Sequence, residues 1–236
     1  MNIRGKKLRI NKYIALSGFC SRRAADKLIE DKRVTINKQI ADKGAYVEDT
    51  DVVRIDGERV NVKVGQYEYY LLNKPKRVIC SNDDKFGRRT AVSLIKSNKR
   101  LFTYGRLDYM TEGLIIISND GDLYNNIMHP RQKLYKSYLA NIDKAIKDEH
   151  IEAMKHGVVI DGVRTAPAKV KKISEKEIRV AIFEGRNRQI RKMFEILGYE
   201  VKNLKRVKIG ELTLRDLEVG KYRKLTKEEV EYLKKL

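Results

Sequence analysis

The chain has 236 residues, a length typical of one or two domains with a full hydrophobic core. It carries 52 lysines and arginines against 32 aspartates and glutamates, a net charge of +20. Such an excess predicts a polyanionic partner, either a nucleic acid or an anionic membrane surface. No apolar run approaches the length that spans a bilayer, and the basic start is not followed by a hydrophobic stretch. We therefore expect a cytoplasmic protein that binds nucleic acid and no membrane.

The sequence lacks the motifs that are typical of metalloenzymes and of nucleotide-binding enzymes. Cys20 and Cys80 are far apart and have no metal-ligand spacing around them, and the three histidines are scattered. We therefore expect no metal site. The sequence also has no glycine-rich phosphate loop, which argues against a nucleoside triphosphatase or a dinucleotide enzyme. We expect catalysis, if there is any, to need no cofactor.

Residues 8–56 predict a small domain with two helices and a few short strands. Apolar residues from Leu8 onward recur at helical spacing, and Ser21 is a plausible N-cap for a second helix. Short β-branched runs follow, separated by turn-forming residues. The polar residues 57–66 then predict a linker, so that 67–236 forms a second domain.

The N-terminal strings L-R-I-N-K-Y-I and S-R-R-A-A-D resemble the small RNA-binding domain of the S-four type, which is shared with a small-subunit ribosomal protein. Charged residues on a helix most often form only a solvated face. The resemblance implies instead that the basic side chains here contact RNA phosphates, which position a protein without reading sequence. The residues concerned are Arg22, Arg23, Lys27, Lys32 and Arg33.

Residues 105–122, GRLDYMTEGLIIISNDGD, place a charged cluster just ahead of an apolar run. Residues 114–117 are four large apolar residues between Gly113 and a turn-forming segment, which predicts a short buried strand. The loop before such a strand would hold Asp108 in a fixed position, as catalysis requires. Most aspartates near glycines only close turns, so the local pattern leaves both interpretations open.

The whole string resembles the motif of the pseudouridine synthases, in the branch that acts on ribosomal RNA. The motif has the form G-R-L-D, then T-x-G-L, then N-D-G, and the sequence matches it throughout. The resemblance implies that Asp108 is the catalytic aspartate. It also makes Arg106 a candidate to occupy the space that an extruded base leaves in an RNA helix.

Two further motifs of that family have counterparts here. The K-x-Y that ends at Tyr138 resembles the second motif, which implies that this tyrosine stacks on the target base. The string N-R-Q-I-R-K-M resembles the third motif, which implies that Arg191 pairs with Asp108 and favours its charged form. Leu204 lies where the family places an apolar residue against the base.

The resemblance implies an α+β fold, in which a small N-terminal RNA-binding domain is joined to a catalytic domain with a mixed, mostly antiparallel sheet. The implied reaction converts one uridine of ribosomal RNA to pseudouridine. The form of the third motif favours RNA of the large subunit. We expect the protein to be a monomer.

Three alternatives remain at this point. The first is a pseudouridine synthase for small-subunit ribosomal RNA. The second is a non-catalytic RNA-binding factor for ribosome assembly, against which Asp108 argues, because a carboxylate that faces phosphates weakens binding. The third is an RNA methyltransferase with the same N-terminal domain, which should carry a glycine-rich cofactor loop that the sequence lacks.

Overall fold

The computed structural model describes residues 7–62, 67–82, 84 and 86–236. The chain forms two compact units. Unit 1 contains the residues up to Glu68 together with the short segment Ser97–Arg100, and unit 2 contains Tyr69–Lys96 and Leu101–Leu236. The predicted linker 57–66 is wrong in part, because Glu58–Val60 forms a strand within unit 1. The turn Asp56-Gly57 adopts positive φ at both residues and folds this strand back onto its neighbour. Residues 63–66 of the predicted linker lie outside the described residues.

Unit 1 combines two helices with short antiparallel strands, as its residue pattern predicts. The Ser21 hydroxyl accepts a hydrogen bond from the amide of Ala24 and caps the second helix. Strands β3, β2, β5 and β6 form one sheet in that order, and β1 pairs with β4. The elements are α1 (Ile10–Leu16), α2 (Arg22–Glu30), β1 (Leu8–Arg9), β2 (Val34–Ile36), β3 (Gln39–Ile40), β4 (Tyr46–Val47), β5 (Val53–Ile55) and β6 (Glu58–Val60).

Unit 2 is built on a mixed sheet with the strand order β13-β14-β10-β15-β9-β7-β17, to which β8 and β16 add at the side. Its strand pairs are antiparallel except that of β15 with β9. Together with the helices of both units, this confirms the α+β class. The strands are β7 (Tyr69–Lys74), β8 (Phe102–Thr103), β9 (Glu112–Ser118), β10 (Lys136–Ile142), β11 (Val159–Ile160), β12 (Val163–Arg164), β13 (Lys169–Lys172), β14 (Glu177–Ile182), β15 (Val201–Ile209), β16 (Leu212–Thr213) and β17 (Tyr222–Lys224).

Helices cover both faces of this sheet. On β9, Ile115 and Ile117 pack in one apolar cluster, whereas Leu114 and Ile116 pack in another, because successive strand side chains point to opposite faces. A strand buried on both sides therefore appears in the sequence as an unbroken apolar run. The helices are α3 (Gly121–Met128), α4 (Asp148–His156), α5 (Gln189–Ile196) and α6 (Lys227–Lys234). None of the helices among the described residues is both long and apolar enough to cross a membrane.

The sequence pattern predicts Asp122 as the cap of α3 and Glu184 as the start of α5, and the structure differs at both places. Helix α3 is capped by Asp120 rather than Asp122, because the Asp120 carboxylate accepts hydrogen bonds from two backbone amides at the start of the helix. Helix α5 begins at Gln189 rather than near Glu184, because Arg188 adopts a left-handed conformation with φ of 51°. The loop before it is closed by a 2.5 Å hydrogen bond that the side-chain amide of Gln189 donates to the Glu184 carboxylate.

Gly113 on β9 pairs with Arg206 on β15 and lies tightly against its backbone. Its φ is +111°, and a Cβ added there would lie 2.2 Å from the carbonyl oxygen of Arg206. A side chain at this position would therefore meet backbone, which cannot move aside as a flexible side chain can.

We expect Gly113→Ala to lower the free energy of unfolding by roughly 3 kcal/mol, because left-handed strain and a backbone clash add together. Urea denaturation measures the change. The matched control is Gly121→Ala at the start of α3, where the nearest heavy atom to an added Cβ is 4.0 Å away. This control should be neutral or slightly stabilising. Equal stabilities for the two variants would contradict the close-approach interpretation.

Candidate active site

Asp108 begins a tight turn that leads into β9. The amide of Thr111 donates a 3.0 Å hydrogen bond to the carbonyl oxygen of Asp108, which closes the turn. Tyr109 and Met110 at its tip are 45% and 43% exposed, while Thr111 is buried and starts the descent into the sheet. The carboxylate of Asp108 is therefore part of a short surface turn with a buried anchor on its C-terminal side.

The segment after β7 holds this turn from the other side. The amide of Arg77 donates a 2.7 Å hydrogen bond to the carbonyl oxygen of Tyr109. The amide of Leu107 donates to the sulfur of Cys80 at 3.3 Å. Both residues next to Asp108 in the chain are thus fixed through their backbone. Fixed backbone on each side is what a catalytic carboxylate needs to keep its position.

Four strands place one residue each in a row across the sheet. Tyr138 on β10 pairs with Arg206 on β15, Arg206 pairs with Gly113 on β9, and Gly113 pairs with Lys74 on β7. Because cross-strand partners lie side by side, this row runs from the tyrosine of the second motif to the strand that follows Asp108. The row therefore connects two parts of the site that are 30 residues apart in sequence.

The side chain of Arg191 contacts the backbone of the Asp108 turn. Its Nη1 donates to the carbonyl oxygen of Val201 at 2.6 Å, and its Nη2 lies 3.4 Å from the carbonyl oxygen of Met110. The predicted direct ion pair between Arg191 and Asp108 is not formed in the described structure: Nη1 and Nη2 contact backbone carbonyls, and the buried Nε has no hydrogen-bond partner. Burial lowers the pKa of Arg191, Arg188 lowers it further, and Asp108 opposes them, so the two charges still interact.

Lys74 is a fully buried cation next to the same turn. Its ammonium donates to the carbonyl oxygens of Pro75 and Val78 at 2.9 and 2.8 Å. Burial lowers the pKa of Lys74, and the charge of Asp108 acts in the opposite direction. Burial also raises the pKa of the Cys80 thiol, which favours its neutral form. Lys74 thus supplies positive charge to the site, whereas Cys80 serves the backbone of the turn.

The remaining predicted residues of unit 2 differ in exposure. Leu204 is 4% exposed and belongs to the same apolar cluster as Tyr138, which is 9% exposed. Arg106 is exposed two residues before Asp108. Leu204 and Tyr138 therefore belong to one apolar cluster on adjacent strands, and Arg106 is a solvent-facing cation near Asp108 in the chain.

The five predicted RNA-contacting residues of unit 1 are all exposed. Among the described residues, Arg22 and Arg23 at the start of α2 have no ion-pair partner. Arg33 differs, because its guanidinium forms a two-pronged pair with the Asp56 carboxylate at 2.8 and 2.5 Å. Lys27 and Lys32 also have no ion pair among the described residues. Four of the five charges are thus available to a polyanion.

Comparison with known protein families shows which family this chain belongs to. The model described as RNA pseudouridylate synthase matches residues 68–196, more than half of the chain, and the S4 domain model matches residues 8–50. The chain belongs to the RNA pseudouridylate synthase family. It is therefore an RNA-modifying isomerase with an N-terminal S4 domain, and the resemblance seen in the motifs is confirmed.

Individual RNA pseudouridylate synthases match over nearly the whole length. The chain is 40% identical over 230 residues to "Dual-specificity RNA pseudouridine synthase RluF" of Escherichia coli K12, covering 97% of this chain and 79% of the relative. It is 38% identical over 236 residues to "Ribosomal large subunit pseudouridine synthase B" of Bacillus subtilis, covering 97% and 96%. A solved structure, "Crystal structure of pseudouridylate synthase", superposes with a TM-score of 0.71 at 32% identity over 96% of this chain and 99% of its own.

Sequence reasoning missed Lys74 and Arg206, the two buried cations of the row. Lys74 appears in the sequence to belong to a turn before Pro75, and Arg206 appears to be one of many basic residues on β15. A usable signal existed for Arg206, since it lies two positions after Leu204 and so shares its face of the strand. Within the described ranges, no cluster of three or more histidine, cysteine, aspartate or glutamate side chains could hold a metal ion.

The buried Lys74 predicts a pH dependence of stability. The unfolded chain binds this proton more readily than the folded chain, so stability rises as the pH increases toward the ordinary value of 10.5. As the pH rises toward 10.5, we expect the free energy of unfolding of the parent to increase relative to that of Lys74→Met. The increase should be at most about 1.4 kcal/mol for each pH unit.

Thermal or urea unfolding at several pH values measures this difference. The control is Lys171→Met on strand β13, where the lysine is exposed. The free energy of the control relative to the parent should not change with pH. A parent and a Lys74→Met variant with parallel pH profiles would show that Lys74 does not carry the effect.

Proposed function

We propose that this enzyme isomerises a specific uridine of large-subunit ribosomal RNA to pseudouridine, with Asp108 as its catalytic group. The observation that carries the proposal is the Asp108 turn, which is fixed through the backbone on both sides and interacts with the charges of Arg191 and Lys74. An RNA-binding protein without catalysis would have no use for a carboxylate held among cations that could otherwise contact phosphates.

The reaction needs one carboxylate and no redox partner. The bond between the ribose C1′ and the uracil N1 breaks, the base turns within the site, and a bond forms between C1′ and C5 of the base. C5 then loses its proton and N1 gains one, so that the product is an isomer of the substrate. Asp108 acts either as the nucleophile at C1′ or as the base that takes a proton from the neighbouring ribose carbon. In both schemes the detached base must stay in place, so that the second step remains effectively unimolecular.

Tyr138 and Leu204 provide the apolar surface for that base. They share one apolar cluster, and Tyr138 keeps a small exposed edge. An extruded base loses its stacking neighbours, and an aromatic ring replaces them. Arg191 contributes by holding the turn at Met110 while its charge acts on Asp108. Arg106, which is exposed beside the turn, is the residue that we assign to the gap left in the RNA.

The choice of ribosomal RNA rests on the relatives and on unit 1. One relative is named for the large ribosomal subunit, and the other is named as dual-specificity. The third motif of this chain also has the form that favours the large subunit. The S4 domain supplies the exposed cations of α2, which bind phosphates and so position the enzyme. We propose that the protein acts as a monomer in the cytoplasm.

Mapping of pseudouridine on protein-free ribosomal RNA tests the function directly. We expect the purified chain to produce a new large-subunit site, and Asp108→Asn to be at least about 1000-fold slower, because it lacks the reacting carboxylate. Asp216→Asn, which changes an exposed aspartate of the same unit, is the control and should keep full activity. Tight RNA binding with no new site would favour the assembly-factor alternative, and a site on small-subunit RNA would overturn the choice of subunit.

The exposed arginines of α2 predict a change in salt dependence. Replacing Arg22 and Arg23 together by alanine should reduce the slope of log affinity against log salt by roughly 1 to 2, since each phosphate contact contributes about 0.7 to 0.9. Filter binding at several salt concentrations measures the slope. Arg33→Ala is the comparison, and its effect should be smaller because Asp56 already occupies that guanidinium. An unchanged slope in the double variant would remove α2 from the RNA interface.

A further inference from the structure

Arg206 is a buried charge to which the proposed mechanism gives no task. It is 2% exposed, whereas the other basic residues of β15 are at least partly exposed. An arginine cannot escape burial by losing its proton, so a buried one normally has an acidic partner. In the described part of the chain Arg206 forms no ion pair with a carboxylate, and its Nη2 has no hydrogen-bond partner.

The neighbours of Arg206 are cationic as well. Lys136 and Lys74 both have a pKa lowered first by burial, and the charge of Arg206 lowers each of them further. Placing this arginine beside two lysines costs stability. The position is therefore poorly explained by packing or by local ion pairing.

The contacts of Arg206 connect the two halves of the site. Its Nε donates a 2.7 Å hydrogen bond to the carbonyl oxygen of Leu114, in the strand that follows the Asp108 turn. Its Nη1 lies 3.5 Å from the hydroxyl oxygen of Tyr138, and its guanidinium carbon lies 6.0 Å from the centre of that ring. One side chain thus links the tyrosine to the strand that holds the aspartate.

A β-bulge in β15 places Arg206 opposite Tyr138. Ser137 pairs with Lys208, but the next residue, Tyr138, pairs with Arg206, so Val207 is left out of the register. Without the bulge, regular pairing would put Val207 opposite Tyr138. Bulges next to active sites commonly redirect a side chain in this way.

The chemistry of the two groups gives the contact a direction. A guanidinium has donors but no acceptor, so the phenol oxygen of Tyr138 must accept from Arg206. The hydroxyl proton of the tyrosine is then turned away from Arg206. Arg206 therefore lies where it can orient the O–H bond of Tyr138 and hold its ring.

We propose that Arg206 is a positioning residue, which fixes the ring and hydroxyl of Tyr138 relative to the Asp108 turn, so that its loss slows the chemical step far more than it weakens RNA binding. This inference rests on the proposed function. It adds a residue whose effect passes through Tyr138 and that itself touches neither the sugar nor the base.

A double-mutant cycle tests this role. Single-turnover rates of pseudouridine formation on protein-free large-subunit ribosomal RNA are measured for the parent, Arg206→Gln, Tyr138→Phe and the double variant. We expect Arg206→Gln to be roughly 10 to 100-fold slower in the parent background but less than about 3-fold slower in the Tyr138→Phe background. RNA affinity should change by less than about 3-fold. Arg206→Lys, which keeps the charge without the planar fork, should recover part of the rate.

Equal losses in both backgrounds would overturn the proposal, as would a loss confined to RNA affinity or to the unfolding temperature. A readout that needs no activity separates this proposal from the proposed function. In protein labelled with [ζ-13C]tyrosine, the Tyr138 signal is assigned by its absence in Tyr138→Phe. It should shift in Arg206→Gln and, more weakly, in Arg206→Lys, while the other tyrosine signals stay in place. An unmoved Tyr138 signal would overturn the positioning role even if the parent modified no ribosomal RNA.

Discussion

The parallel contact between β9 and β15 at Gly113 and Arg206 holds the site together. In the described sheet, strands β13, β14, β10 and β15 lie on one side of this contact, and β9, β7 and β17 lie on the other. Tyr138 belongs to the first group, whereas Asp108 leads into the second. The distance between the two groups is therefore set where the backbone of Arg206 meets a residue without a side chain. Parallel pairing is slightly less stable than antiparallel pairing, so close packing at Gly113 matters more here than elsewhere in the sheet.

Electrostatics impose the second constraint. Lys74, Arg206 and Arg191 bring positive charge beneath a turn that carries one carboxylate, and burial lowers the pKa of both Lys74 and Arg191. Each buried ion costs several kcal/mol unless it is well compensated. Backbone carbonyls compensate Lys74 and Arg191 in part, and the remaining positive field suits a polyanionic substrate. The same field acts on Asp108 without a direct ion pair.

The sequence predicted the parts of this design that depend on local pattern. The apolar run on β9 and the Ser21 cap follow from short-range rules and are both present. The motif that surrounds Asp108 also identified the family correctly. The fold class followed from that resemblance rather than from composition.

Short-range rules could not predict which residues pair between distant strands. Nothing near Arg206 in the sequence says that a bulge at Val207 will place it opposite Tyr138, because the bulge is a property of two strands together. The backbone contacts of Arg191 were equally beyond local pattern, since the carbonyls that accept from its guanidinium belong to Val201 and Met110, which are distant in sequence. Helix α5 begins at Gln189, after the predicted start, because a pattern of apolar spacing does not reveal that Arg188 adopts a left-handed conformation.

The structure of Asp108→Asn bound to a fragment of the modified ribosomal RNA would test the central claim most directly. The account predicts a uracil extruded from the RNA, with its face on the Tyr138 ring, its edge near Leu204 and its ribose C1′ beside the side chain at position 108. The Arg206 guanidinium should still lie between the tyrosine hydroxyl and the Leu114 carbonyl. A uracil bound away from Tyr138, or one that remains stacked in the RNA while residue 108 faces only phosphate, would contradict the assignment of this turn as the catalytic centre.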